Sequence, residues 1–218
     1  MKYVILKYCQ LFTLLFGAFN SNSQNLPVTV PGLSIGIILQ DTTIKCTGFV
    51  AKSPKFIFSC NHCIDSNSNN FFFVDHFLKH HKIKIKERDT VNDALIFESF
   101  DEITNDYLDF DETLENNENI LYLGFDSFSS LKNNSINMGA DYSKIFEINN
   151  SAIIKSFTFW AKAIPGYSGS PVFNMKSKVI GFVNKGLRNS SNETKDLNDR
   201  SMNKIFATSS RAFINLLK

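Results

Sequence analysis

Hydrophobicity along this chain comes in short bursts separated by polar turns, and that rhythm limits the folds it can adopt. The bursts are IGIILQ (35–40), CTGFVA (46–51), KFIFSC (55–60), FFFVDHF (71–77), KIKIKER (82–88), ALIFESF (94–100), NILYLGF (119–125), AIIKSFTF (152–159), SPVFNM (170–175) and KVIGFVN (178–184). Their phenylalanine, isoleucine and valine content suits the pleated, half-buried surface of a sheet. Strict alternation in KIKIK predicts one wet face, which carries the lysines, and one buried face. Helical spacing is confined to residues 209–218, where Ala212, Phe213, Leu216 and Leu217 fall near one face. Many short strands and one closing helix indicate a β-barrel or a β-sandwich.

With 218 residues, 43% of them hydrophobic, the chain can bury one sizeable core, or two small ones that share an interface. DETLENNEN, SFSSLKNNS and GLRNSSNETKDLNDRS read as polar surface loops, and neither a repeat nor a change of composition marks an appended domain. The net charge is +2 with both signs interspersed, which argues against a nucleic-acid partner. The Asn-x-Ser/Thr triplets, such as Asn192-Glu193-Thr194, carry little weight in so asparagine-rich a chain.

The first residues, MKYVILKYCQLFTLLFGAFNSNSQ, place lysines before an apolar stretch and small polar residues after it. That order predicts a signal peptide over residues 1–23, with Gln24 starting a mature domain of residues 24–218 that is exported to the periplasm or secreted. The rival is an uncleaved anchor over residues 3–19, interrupted by Lys7 and Gln10. With Cys9 removed, Cys46, Cys60 and Cys63 remain, and an oxidising compartment favours one disulfide and one spare thiol, in a pairing that depends on the fold.

In PGYSGSP (165–171) one serine stands between glycines with proline at both ends. Glycine allows backbone torsions closed to other residues and lets N–H groups approach a ligand, so this turn can aim a hydroxyl and its neighbouring N–H donors at one point. Three segments, taken in order, resemble the trypsin-like (chymotrypsin-fold) serine proteases, especially exported bacterial members. They are Cys46-Thr47-Gly48-Phe49-Val50 with Phe56 to Ile64, including Cys60-Asn61-His62-Cys63; Asn92-Asp93-Ala94-Leu95-Ile96-Phe97; and Gly166-Tyr167-Ser168-Gly169-Ser170-Pro171-Val172-Phe173 followed by Val179 to Val183.

The resemblance implies two six-stranded antiparallel β-barrels with a C-terminal helix, divided roughly at residues 101–119. It implies an endopeptidase in which His62 is the base, Asp93 its carboxylate partner and Ser168 the nucleophile, with the Gly166 and Ser168 N–H groups as the oxyanion donors. Asp89 and Asp75 are rivals for the carboxylate. The disulfide implied is Cys46 with Cys63, while Cys60, which departs from the family, leaves open a Cys60–Cys63 pair or a buried thiol. Tyr167 stands where trypsin has the aspartate that receives the freed N-terminus, so activation by that salt bridge is not expected.

By position the substrate pocket falls to Lys162, Ala163 and Ile164, facing Val183, Asn184, Lys185 and Gly186. A buried Lys162 would favour acidic side chains, whereas an outward Lys162 would leave a pocket for small or apolar ones. The expected partner is a protein or peptide substrate of a monomeric enzyme, with no cofactor, no metal and no stable membrane association once the signal is cleaved. Two other functions fit parts of the sequence. One is a catalytically silent binding module on the same scaffold; the other is a zinc site using Cys60, His62 and Cys63 with His76, His80 or His81.

Overall fold

A computed structural model describes residues 34–65, 69–126, 138–150, 153–162, 164–187 and 203–218. The signal segment, the SFSSLKNNS insertion and residues 188–202 lie outside the described residues.

Twelve strands form two closed barrels, joined throughout by antiparallel pairing. The first contains β1 (Ile35–Gln40), β2 (Thr43–Val50), β3 (Phe56–Cys60), β4 (Phe71–Val74), β5 (His80–Asp89) and β6 (Ala94–Ser99), in the order β1-β2-β3-β6-β5-β4. The second contains β7 (Asn119–Phe125), β8 (Met138–Asn149), β9 (Ser156–Ala161), β10 (Pro171–Asn174), β11 (Val179–Leu187) and β12 (Asn203–Ser209), in the order β10-β11-β12-β9-β8-β7. A short helix, α1 (Arg211–Leu216), closes the chain. The fold is chymotrypsin-like.

Local chemistry explains where these strands begin and end. In β5, His81 and Ile83 point inward while Lys82, Lys84 and Lys86 face solvent, which is the alternation of KIKIK. The FFFV run stops at Val74 because Asp75 turns the chain, its Oδ1 accepting from the N–H groups of Phe77 and Lys79 at 2.9 Å each. Two strands escape the reading by apolar bursts. β8 is long but buries only Ile145, since its other positions are exposed or half-exposed, so it carries no hydrophobic run. β12, NKIFATS, buries Ile205 and Ala207 among polar neighbours and owes its place to pairing with β9 and β11.

The segment between the barrels is pinned to both. Leu108 exchanges backbone hydrogen bonds with the first barrel, giving its N–H to Val50 and taking that of Lys52, both at 3.0 Å. Next to it, Asp109 and Asp111 exchange bonds with Val179 of β11, both at 2.9 Å. The Asp109 carboxylate also pairs with Lys52 from one barrel and, at 3.0 Å, with Lys178 from the other. Between the barrels lies an aromatic cluster. The fully buried Phe213 of α1 meets Phe58, Phe49, Phe110 and Phe182 at ring-centroid distances of 5.0, 5.9, 5.9 and 4.4 Å.

Truncating Phe213 removes the shared member of that cluster, so Phe213→Ala is expected to cost about 3–5 kcal/mol in chemical denaturation. The hydrogen bond from Lys52, with help from Lys178, pushes the Asp109 carboxyl down from 3.8 to about 2. A depressed carboxyl stabilises the fold above its unfolded value and loses that contribution as the pH falls from about 4 to about 2. Because these side chains are substantially exposed the effect is modest, and Asp109→Asn should lower the neutral plateau of a Tm-against-pH curve slightly, converge with wild type below about pH 2, and so flatten the acid limb.

Candidate active site

After β3 the chain makes a single 3₁₀ turn, Asn61–Cys63, that presents a half-exposed His62. Asp93, the residue before β6, sits in the left-handed region at φ 57°, a conformation that aspartate tolerates better than most side chains. Its carbonyl accepts the Asn61 N–H at 2.9 Å, and its Oδ1 accepts the His62 N–H at 2.7 Å. The backbone of the histidine turn is thereby fixed to the aspartate before the side chains meet. His62 Nδ1 then lies 2.6 Å from Asp93 Oδ2, and His62 Nε2 lies 3.2 Å from Ser168 Oγ. The rival carboxylates are engaged elsewhere: Asp89 accepts from the N–H groups of Val91 and Asn92, and Asp75 faces His81.

The serine arrives from the second barrel on a turn that two glycines make possible. Gly166 has φ 101° and Gly169 has φ 82°. At Gly169 a Cβ would lie 2.3 Å from the Thr47 carbonyl oxygen and 2.4 Å from Ser59 Oγ, so only glycine lets the turn press this closely on the first barrel. Thr47 secures the contact. Its N–H donates to the Ser168 carbonyl at 3.0 Å and its hydroxyl to the Gly166 carbonyl at 2.7 Å. From the other side Gly169 N–H donates to the Val183 carbonyl, and Val183 N–H to that of Ser170, both at 2.8 Å. The N–H groups of Gly166 and Ser168 take no part in these bonds.

The family model for the trypsin-like peptidase domain matches residues 46–182, which is most of the chain and includes all three of these side chains. The chain belongs to the trypsin-like peptidase family. No curated protein matches its sequence. Solved structures share the fold at low identity. The active form of the Rv3671c protease from M. tuberculosis is 18% identical with a TM-score of 0.66, covering 90% of this chain and 87% of that one. A Glu endopeptidase in complex with MPD is 14% identical, also at 0.66, over 90% and 94% of the two chains. The serine endoprotease from Yersinia pestis is 10% identical at 0.65, over 91% of this chain and 66% of that one.

In this trypsin-like peptidase a pocket opens beside Ser168, lined by Tyr122, Lys162, Ile164, Tyr167, Val183 and Ile205. Of the residues named from the sequence for a substrate pocket, Lys162, Ile164 and Val183 are positioned there. Asn184 and Lys185 are not, because β11 has an irregularity between Val183 and Lys185 that resets which residues face inward. The Asn184 amide instead donates to Thr208 Oγ1 at 3.2 Å, and the Lys185 ammonium stands 5.6 Å over the Phe206 ring. Gly186 continues β11 in register with Ile205, and Ala163 lies outside the described residues. Tyr122 and Ile205 were not anticipated as lining residues, since nothing in the chain order brings β7 and β12 beside the nucleophile. Tyr167 is buried, with its ring edge-on to Tyr122 at 5.8 Å, and burial pushes its phenol up to about 12.

The cysteines depart from the expected Cys46–Cys63 pair. The structure joins Cys60 to Cys63, whose Cα atoms the 3₁₀ turn brings to 5.7 Å, and leaves Cys46 as a buried thiol 3.2 Å from Ser59 Oγ. All three sulfurs lie within 4.8 Å of one another, so proximity alone does not select the pair; the turn that presents His62 carries both members of the observed one. His81 is held between Asp75 and Asp101, so among the described residues no histidine of the 76–81 segment joins the sulfur cluster.

Burial pushes the Cys46 thiol up to about 12, against a smaller opposing pull from Ser59. Its thiolate fraction at pH 8 is then roughly 10⁻⁴, and the native, unreduced protein should resist iodoacetamide at that position. After unfolding without reductant, the label should appear on the tryptic peptide CTGFVAK and not on the one that carries Cys60 and Cys63. The reverse result would put Cys46 in the disulfide and overturn the Cys60–Cys63 pair.

Proposed function

We propose that the chain is a serine endopeptidase in which Asp93, His62 and Ser168 form a catalytic triad. The reading rests on the unbroken line of contacts from Asp93 Oδ2 to His62 Nδ1, at 2.6 Å, and from His62 Nε2 to Ser168 Oγ, at 3.2 Å. A serine hydroxyl attacks a peptide carbonyl only when a base removes its proton, and imidazole titrates in the range where this is feasible. Asp93 fixes the tautomer with the proton on Nδ1, leaving Nε2 to accept the Ser168 proton as Oγ bonds to the carbonyl carbon. The resulting imidazolium, stabilised by the carboxylate, returns that proton to the leaving amine as the C–N bond breaks. Water then repeats the sequence on the acyl-enzyme, with His62 again the base, and releases the acid.

The developing oxyanion needs donors that are already in place. The Gly166 and Ser168 N–H groups lie at the nucleophile and make no backbone hydrogen bond with the described residues, which makes them its donors in this reading. Tyr167, packed on Tyr122, fills space behind the turn, so the site forms without a newly freed N-terminus. Export belongs to the same proposal: residues 1–23 act as the signal, and the substrates are proteins or peptides met outside the cytoplasm.

The test is covalent labelling of the full chain with a fluorophosphonate, followed by peptide hydrolysis. Ser168→Ala should abolish labelling, while His62→Ala should lower kcat by about six orders of magnitude and Asp93→Asn by about four, each leaving the fold intact by circular dichroism. A folded wild-type protein that neither labels nor hydrolyses any peptide would refute the proposal.

A further inference from the structure

The pocket beside Ser168 has an unusual combination of walls and charge. Its sides are aromatic and aliphatic, from Tyr122, Tyr167, Ile164, Val183 and Ile205, and Lys162 supplies the one formal charge among the lining residues. Ser168 belongs to the same lining, so a substrate side chain seated here lies beside the nucleophile. Among the described residues the Lys162 ammonium makes no ion pair; the same is true of exposed lysines such as Lys82, Lys86 and Lys185, but of these only Lys162 lines the pocket.

The stem of Lys162 emerges from a fixed point, because its backbone N–H donates to the Tyr122 hydroxyl. That hydroxyl in turn donates to Asp141, so the Asp141 carboxylate is engaged on Tyr122 and does not line the pocket. A second carboxylate, Asp126, bears on the Tyr167 hydroxyl and is likewise absent from the lining. Among the described residues the cavity therefore offers one half-buried cation that makes no ion pair, beside apolar walls. An ammonium in such surroundings loses hydration that a protein group does not replace, and a carboxylate delivered by a substrate would replace it with a charge-assisted hydrogen bond in a poorly screened site.

We infer that Lys162 selects the residue on the acyl side of the cut bond and that this residue is aspartate or glutamate. The inference rests on the serine-endopeptidase reading of the same site. An uncharged isostere would leave the ammonium unmatched, and a basic side chain would be repelled. Discrimination against a missing polar partner in a desolvated pocket is the kind that binding energy delivers well.

The test uses the full chain and peptidyl aryl phosphonates that differ only at the residue beside the phosphorus: Glu, Gln, Leu and Lys. A fluorophosphonate, which has no side chain to place in the pocket, reports the reactivity of Ser168 itself. The Glu reagent should label wild type at least about 10-fold faster than the Gln reagent. Lys162→Met should erase that ratio, and Lys162→Glu should move the preference to the Lys reagent, each rate being divided by the same variant's fluorophosphonate rate so that any general change in Ser168 reactivity cancels. A wild type that takes Gln or Leu as fast as Glu, or a Lys162→Met protein that keeps the Glu preference at normal fluorophosphonate reactivity, would overturn the assignment of Lys162 and leave the endopeptidase reading standing. Failure of the wild type to react with the fluorophosphonate would overturn both.

Discussion

The site depends above all on a buried tie between the barrels at Thr47. This β2 residue is fully buried, and it bonds twice to the turn that carries Ser168, through its N–H and its hydroxyl, while the same hydroxyl accepts the Phe125 N–H from the end of β7. One side chain of the first barrel thus fixes two segments of the second. Buried polar groups are tolerated only when satisfied, so a relative shift of the barrels would leave two carbonyls, two N–H groups and a hydroxyl unpaired. The tie is therefore specific in register, which apolar contact alone is not.

The remaining architecture divides the work between near and far. His62 and Asp93 belong to one barrel and are joined through backbone as well as side chain, so their geometry survives any movement of that barrel as a unit. Ser168 comes from the other barrel, and its 3.2 Å approach to the imidazole is only as good as the packing between them. The phenylalanine cluster around Phe213 and the connecting segment from Leu108 to Asp111 supply that packing. Close-packed interiors transmit displacement with little loss, and a misplacement of about 1 Å at a reacting centre can cost about 100-fold in rate. The short closing helix, remote from the chemistry in sequence order, thereby bears on it through Phe213.

The cysteines and the pocket illustrate how a motif and a geometry carry different information. Motif order pointed to Cys46 with Cys63, yet the 3₁₀ turn puts Cys60 and Cys63 on one short segment, and with all three sulfurs in mutual reach the local pair prevails. Counting positions along β11 likewise put Asn184 and Lys185 into the pocket, whereas a shift in the strand pairing turns them away and leaves Val183 facing in. Strand irregularities are set by how two chains align, which no single segment displays.

By itself the sequence determined the β-rich body, ten of its strands in approximate position, the helix that ends it, and the chain order of His62, Asp93 and Ser168. These follow from local causes: β-branched and aromatic bursts, alternation in KIKIK, and glycines where a turn must reverse. Tertiary structure alone decided that β8 and β12, too polar to announce themselves, complete the second barrel. It also decided that residues 62, 93 and 168 meet within hydrogen-bonding distance, that Tyr122 and Ile205 wall the pocket with Lys162, and that Cys46 is left single. Each of these depends on contacts between segments far apart in the chain, where the outcome is set by which pairings can be satisfied together.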